Sequence, residues 1–240
     1  MYKRQVLDLT ANERVVREPG GAKRASEEGL SVTYALSGKT SLPSRSDRQL
    51  IQIASMPMGA NFVKLASPVL TSYVYDEAKV VNSSNMVLLA GPVTAYADGA
   101  FVGSGDLPTV SVGESFTVGF GIDSSLRTSR EVAERSETIQ GGNRVVELTY
   151  RLTVENFGAA PVSVRLLDRL PKARDGQIKV TLVSATAEQS TDAEFVKGAK
   201  KDGILRWDVQ VPAQATGGTA STVEYKFRLE YDKQMSLVGM

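Results

Sequence analysis

The sequence predicts an all-β protein with an antiparallel β-sandwich architecture, and two observations support this fold class. From Leu30 onward, apolar and polar residues alternate with a period of two, which is typical of strands with one buried and one solvated face. Glycine, proline, asparagine and aspartate cluster between these short runs, as turns require. The 240 residues include no cysteine, so an apolar core rather than disulfides must stabilise the fold.

Residues 1–28 are predicted to be a linker or the remainder of a truncated upstream segment. Arg14 to Glu28 is rich in charge and contains Pro19-Gly20-Gly21, so it buries too little apolar surface to offset the entropy of ordering. A short helix over Val6 to Arg17 is the alternative. Met1 to Gln5 matches the translated end of a sequencing adapter, which predicts a fragment of a metagenomic reading frame.

A first β-rich half is expected over residues 29–126. Its strand candidates share short apolar runs with turn residues on either side. They are Leu30–Leu36, Leu50–Ala54, Phe62–Leu65, Ser72–Tyr75, Val87–Leu89, Val93–Ala97 and Phe116–Ile122.

A second half over residues 127–235 is expected to be an immunoglobulin-like sandwich, because of the number and spacing of its alternating strands. A strand near Arg127–Thr138 should turn at Gly141-Gly142 into the next strand. The turn at Asn156-Phe157-Gly158 is expected to close an antiparallel hairpin, and a short helix is expected around Asp192–Lys197. The further alternating runs are Val146–Val154, Val162–Leu166, Ile178–Leu182, Leu205–Val211 and Val223–Tyr231.

One tight hairpin can be assigned to specific residues. Asp98-Gly99 lies between two apolar runs, and a type I′ turn requires the positive φ angle that glycine adopts at little cost. Gly91-Pro92 is expected to open the first strand, where a missing N–H group does least harm. These residues and Gly103 are interpreted as structural rather than ligand-binding.

The segment from Gly91 to Gly103 resembles the central motif of the DUF4139 domain, found in mucoidy inhibitor A-like proteins. Other motifs of that family follow in order, so that the resemblance covers residues 30–232. These motifs are Leu30-Ser31-Val32-Thr33-Tyr34, Leu88-Leu89-Ala90-Gly91-Pro92, Gly119-Phe120-Gly121-Ile122-Asp123, Glu155-Asn156, Leu167-Asp168-Arg169-Leu170-Pro171, Asp202-Gly203-Ile204-Leu205-Arg206-Trp207 and the closing strand to Tyr231.

The resemblance implies that this chain is the C-terminal part of a longer protein. Members of the family usually carry a coiled coil upstream, often behind an export signal, and their biochemical activity is not established. An exported, periplasmic or cell-envelope location is therefore expected, with protein partners or self-association through the missing coiled coil.

The composition argues against several function classes. Without histidine and cysteine the chain lacks the commonest general base, the usual transition-metal ligands and the thiol nucleophile. We therefore expect no enzyme activity, cofactor or metal. A formal net charge of +1 gives no basic face for nucleic acid, and no apolar run is long enough for a membrane helix. Carboxylates are the remaining catalytic groups, and we interpret them as turn or cap residues: Asp98, Asp106, Asp123, Asp168 and Asp175.

Five residues are candidates for binding. Tyr73, Tyr75 and Tyr96 could stack against sugars if they lie exposed on a sheet face. Asp168 and Arg169 could recognise an anion or glycan, although a surface ion pair is the simpler interpretation. The single tryptophan, Trp207, follows the alternation of its strand and is expected in the core.

Three functions remain after these exclusions. The first is a noncatalytic β-sandwich module for protein interaction or assembly at the bacterial cell envelope. The alternatives are a carbohydrate-binding module and a carboxylate-dependent glycan hydrolase, whose two acidic groups would lie roughly 5–10 Å apart.

Overall fold

Strands dominate the computed structural model, which describes residues 4–6, 33–34, 44, 50–173 and 176–238. Eight strands form one sheet in the order β10-β8-β2-β3-β6-β7-β11-β9, while β4 pairs with β5 and β1 with β12. The strands are β1 (Arg4–Val6), β2 (Ala60–Ala66), β3 (Tyr73–Val81), β4 (Gly91–Ala97), β5 (Ala100–Leu107), β6 (Ser115–Gln140), β7 (Asn143–Asn156), β8 (Val162–Arg169), β9 (Lys179–Ala185), β10 (Ile204–Val211), β11 (Ser221–Asp232) and β12 (Ser236–Val238), with helix α1 at Ala193–Lys197 and 3-10 turns at Ala199–Asp202 and Gly217–Thr219.

The expected all-β, sandwich-like architecture is confirmed, and a single continuous sheet builds both of its layers. The long strand β6 pairs with β3 along its first part and with β7 along its second part. Strands β10, β8, β2 and β3 thus form one layer, and β7, β11 and β9 continue the other. Neighbouring strands of this sheet are antiparallel except β2 and β8, which are parallel. The expected boundary between residues 126 and 127 falls inside β6.

The core lies between these layers and is built from the inward-facing residues of alternating strands. Trp207 of β10 is fully buried and its ring packs against Tyr225 of β11, with the ring centroids 5.5 Å apart. Leu152, Leu166 and Phe227 are also buried in the same cluster. Burying a large apolar side chain stabilises a fold by about 1.5–3 kcal/mol, so this cluster is the main stabilising element. The core position expected for Trp207 is confirmed.

The hairpin of β4 and β5 turns at Asp98-Gly99, as expected. Both residues have positive φ angles, 49° and 78°, which is the pattern of a type I′ turn. The hairpin lies against β6, where Gly121 has a φ of 86° and a Cβ atom at this position would clash with the carbonyl oxygen of Val102. A side chain at position 121 would therefore force the hairpin away from β6.

Three predicted local structures are wrong. Leu50–Ala54 forms no strand: Leu50, Ile51 and Ile53 are exposed and pair with no strand in the described part of the chain. Val87–Leu89 is reduced to one bridge between Leu88 and Val110, since the run is too short for a ladder. The expected hairpin after Asn156 is absent: β7 pairs with β6 and β11, whereas β8 pairs with β10 and β2 in the opposite layer.

Two further expectations concern the ends of the sandwich. The short helix near Asp192 is confirmed as α1, and the Asp192 side chain accepts a hydrogen bond from the Phe195 backbone N–H at 2.9 Å. The segment 1–28, for which a linker or a short helix was expected, lies outside the described residues except for Arg4–Val6 in β1. The predicted strand Leu30–Leu36 also lies outside them, except for Thr33 and Tyr34. In the part of the chain that the structure describes, no helix is long and apolar enough to cross a membrane.

Candidate functional site

The two outer faces of the sandwich differ in chemistry. On the layer of β6, β7 and β11, cross-strand ion pairs cover the outer face. Arg151 contacts Glu131 at 3.1 Å and Glu224 at 2.7 Å, and Arg228 contacts Glu147 at 2.6 Å. These charges satisfy one another in solvent, so this face is typical of a solvated surface.

The outer face of β2, β3 and β6 instead carries exposed apolar and aromatic groups. Tyr75 lies directly opposite Leu65 on one side and Ile122 on the other, so the three side chains form a row across the sheet. Tyr73 lies two residues before Tyr75, on the same face, and the Arg127 guanidinium lies 5.2 Å from its ring centroid. We call Leu65, Tyr73, Tyr75, Ile122 and Arg127 the tyrosine face.

Three aromatic or apolar side chains of the tyrosine face are unusually exposed to solvent. The exposed fractions are 42% for Tyr73, 37% for Tyr75 and 49% for Ile122. The intervening Val74 is fully buried, which fixes the two tyrosines on the solvent side of the strand. The sheet therefore holds two aromatic rings on one rigid surface, as a recognition surface requires.

Polar groups with incomplete partners border the tyrosine face. Arg165 is paired with Leu65 across β8 and β2, and its Nε atom is buried without a hydrogen bond. Its nearest carboxylate contact is Asp208, at 3.7 Å. Burial raises the pKa of the Glu77 carboxyl, two residues beyond Tyr75, and the Arg165 charge only partly opposes this. Arg165 therefore places a positive charge beside the tyrosine face.

The third tyrosine candidate, Tyr96, lies elsewhere. It belongs to β4 in the separate two-stranded sheet, and its ring packs edge-on against Phe101 with centroids 6.2 Å apart. Both rings are more than half exposed. The structure therefore places Tyr73 and Tyr75 together on one surface and puts Tyr96 on another element.

The interpretation of Asp168 and Arg169 as a surface ion pair is wrong. Asp168 is only 2% exposed and faces the core, because it continues the inward alternation of Val164 and Leu166. Its Oδ2 atom accepts hydrogen bonds from Arg130 Nε at 2.8 Å and from the Tyr225 hydroxyl at 2.9 Å. Arg169 is buried as well, and its backbone N–H donates to Asp168 Oδ1 at 2.7 Å.

The partners of Asp168 were not among the sequence candidates. The Arg130 guanidinium also stacks on Tyr150, 3.5 Å from the ring centroid, so the cluster joins β6, β7, β8 and β11. Burial raises the pKa of the Asp168 carboxyl, and the Arg130 charge opposes that shift. Burial also raises the pKa of the Tyr225 hydroxyl. The side chains of this cluster bind one another in the interior, so the cluster joins the two layers and offers few groups to a ligand.

Two carboxylates do come together, on either side of Lys64. The Lys64 Nζ atom lies 2.8 Å from Asp76 Oδ1 and 2.5 Å from Asp123 Oδ2. Burial raises the pKa of the Asp123 carboxyl, but hydrogen bonds from Lys64 and Ser125 outweigh it and lower that pKa. The lowered pKa favours the carboxylate form of Asp123, which makes this group a poor general acid.

The other aspartate candidates lie apart from this pair or outside the described residues. Asp98 lies in the hairpin turn and Asp106 lies opposite Pro92 in β5. Asp175 lies outside the described residues. Among the residues that are described, no three acidic side chains are grouped as a metal site would require.

The fold and the tyrosine face define a class of protein: an all-β sandwich module with an exposed aromatic sheet face. The family model described as "Domain of unknown function (DUF4139)" matches residues 3–233. This chain belongs to that family, which confirms the domain predicted from the motifs.

A curated protein is similar over most of the chain. It is "Protein F37C4.5" of Caenorhabditis elegans, which is 25% identical over 211 residues, a stretch of 84% of this chain. The match spans only 37% of the nematode protein's length. No solved structure matches.

Proposed function

We propose that this chain is a noncatalytic module that binds a protein partner through the tyrosine face. The observation that carries the proposal is the row of half-buried Leu65 with exposed Tyr75 and Ile122, beside exposed Tyr73. Tyrosine and arginine are enriched among the residues that dominate binding energy, and a preorganised surface loses little entropy on association.

The contrast between the outer faces supports this choice. The ion pairs around Arg151 and Arg228 would have to be desolvated before a partner could cover the other layer. The tyrosine face carries mostly apolar area, with Arg127 and Arg165 at its margins. It therefore has the apolar centre and polar rim of a protein interface.

The proposal also includes the cellular location and the mode of assembly that the family resemblance implies. We propose a location at the bacterial cell envelope and assembly with the help of an upstream coiled coil. The ion pairs of Asp76 and Asp123 with Lys64 and the buried hydrogen bonds of Asp168 support a noncatalytic role.

Site-specific photocrosslinking tests where the partner binds. A benzophenone amino acid replaces Tyr75 in one variant and Arg228, on the ion-paired face, in the matched control. With lysate of the source organism, we expect a discrete crosslinked protein from position 75 and none from position 228. The same crosslinked protein from both positions, or from position 228 alone, would contradict the proposal.

A carbohydrate partner is the second candidate, because Tyr73 and Tyr75 present two rings on one sheet face, as sugar-stacking surfaces do. A glycan array with the wild-type chain and the Tyr73→Ala/Tyr75→Ala variant separates the two candidates. Glycan binding that the double variant loses would favour a carbohydrate-binding module, whereas an array without signal would leave the protein partner.

A further inference from the structure

A long stretch of β6 has one open edge. The pairing with β3 ends at Arg127, and the last backbone bond on that side joins the Thr128 N–H to the Ser72 carbonyl at 2.9 Å. The opposite edge continues to pair with β7 as far as Gln140. Within the described part of the chain, residues 129–140 therefore keep unpaired backbone groups along the β3 side.

This edge is accessible to another chain. All residues from Glu131 to Gln140 are exposed, and the stretch contains neither proline nor glycine. A bulge between Val132 and Glu134 interrupts the ladder, so the regular edge runs from Glu134 onward. Open edges of this length tend to pair with other strands unless charges or bulges prevent it.

The charges on this edge complement a second copy of the same edge. In an antiparallel pair, directly opposite residues point to the same face of the sheet. A two-fold axis between two copies of one strand must therefore pass midway between a residue and its own copy, and we describe that residue as lying on the axis. With Ser136 on the axis, Arg135 lies opposite Glu137 of the second copy, and the symmetry repeats this contact. Glu134 then lies opposite Thr138 of the second copy.

The neighbouring registers are unfavourable. Placing residue 134, 135 or 137 on the axis sets Glu134, Arg135 or Glu137 against its own copy, and like charges directly opposite destabilise a strand pair. Only the Ser136 register within this stretch gives two opposite-charge pairs and no like-charge pair. It also leaves Thr128 and the β3 contact undisturbed.

We propose that two copies of this chain associate through β6, with Ser136 at the two-fold axis and their regular edges paired as antiparallel strands. The pairing forms a continuous sheet, β7-β6-β6-β7, across both molecules. It also explains an exposed arginine, Arg135, for which the described residues provide no ion-pair partner. The contact is closed by its symmetry, so it yields a dimer rather than a fibre. This association is independent of the tyrosine face.

Cysteine crosslinking tests the register, because the chain has no cysteine of its own. In the paired state, the two Cα atoms of residue 136 would lie about 4.5–5.5 Å apart, within the range of a disulfide. We expect Ser136→Cys to form a covalent dimer under mild oxidation much faster than Ser184→Cys, an exposed serine on β9. Equal rates for both variants would overturn the proposal.

A charge variant then tests the specific contacts. Arg135→Glu in the Ser136→Cys background sets a carboxylate at position 135 against Glu137 of the second copy, twice by symmetry, so we expect crosslinking to slow by about tenfold. Arg135→Lys in the same background preserves the opposite charges and should retain a near-parental rate. A rate that Arg135→Glu leaves unchanged would rule out this register.

Discussion

At the scale of single residues, Asp168 shows how the environment decides the role of a charge. The sequence places it beside Arg169, but the strand alternation directs it into the core, where Arg130 and Tyr225 bind its carboxylate. The sequence did indicate that Asp168 is buried, because Val164, Leu166 and Asp168 are alternate residues of β8 and point to the same, inner side. Its partners come from other strands, and no local pattern identifies them.

Removing the Asp168 carboxylate should be costly. In Asp168→Ala the largely buried Arg130 guanidinium loses its counter-charge and the Tyr225 hydroxyl loses its acceptor. We expect the free energy of unfolding to fall by about 3 kcal/mol, measured by urea denaturation. Glu131→Ala, which removes the exposed ion pair with Arg151, should cost less than about 1 kcal/mol. Equal effects of the two variants would contradict the structural role of the cluster.

At the scale of elements, Asn156 directs the chain from one layer to the other. Its Nδ2 group donates to the carbonyls of Ala160 and Pro212, both at 2.9 Å, and its Oδ1 atom accepts from the Gly158 N–H at 2.8 Å. The residue is fully buried. These bonds hold the connection between β7 and β8 as a crossing between layers, whereas the turn residues alone suggested a hairpin.

The crossing should be sensitive to this one side chain. Asn156→Ala removes three hydrogen bonds of a fully buried side chain, each of which contributes about 1 kcal/mol. For a domain of this size we expect Tm to fall by about 6–12 °C in a calorimetric scan. Asn143→Ala, which removes an amide contact to Glu230 beside the β6–β7 turn, is the control and should change Tm much less. A Tm for Asn156→Ala within about 2 °C of the wild type would disprove this role.

At the scale of the whole molecule, local patterns predicted the strands better than their arrangement. Alternation identified β7 and β11 and the buried side of each, a short apolar run identified part of β2, and glycine positions identified the β4–β5 and β6–β7 turns. The layer to which each strand belongs depends on long-range pairing, such as the parallel contact of β2 with β8. No local pattern encodes that choice.

The candidate site was predictable to a similar extent. Tyr73 and Tyr75 share a phase that alternation around Val74 reveals, so their common face follows from the sequence. Leu65, Ile122 and Arg127 complete that face only through the registers of β2 and β6 with β3. Tyr96 is also a tyrosine in a predicted strand, but it belongs to a different sheet. Residue type therefore indicated the chemistry, and tertiary pairing decided which residues act together.

The most direct test of the binding role is the equilibrium affinity of the Tyr73→Ala/Tyr75→Ala variant for the partner identified by crosslinking at position 75. Calorimetric titration should show Kd at least about tenfold weaker than for the wild type, because aromatic side chains at the centre of an interface dominate its binding energy. Tyr96→Ala, an exposed tyrosine on the other sheet, should bind like the wild type. Wild-type affinity in the double variant would contradict the account.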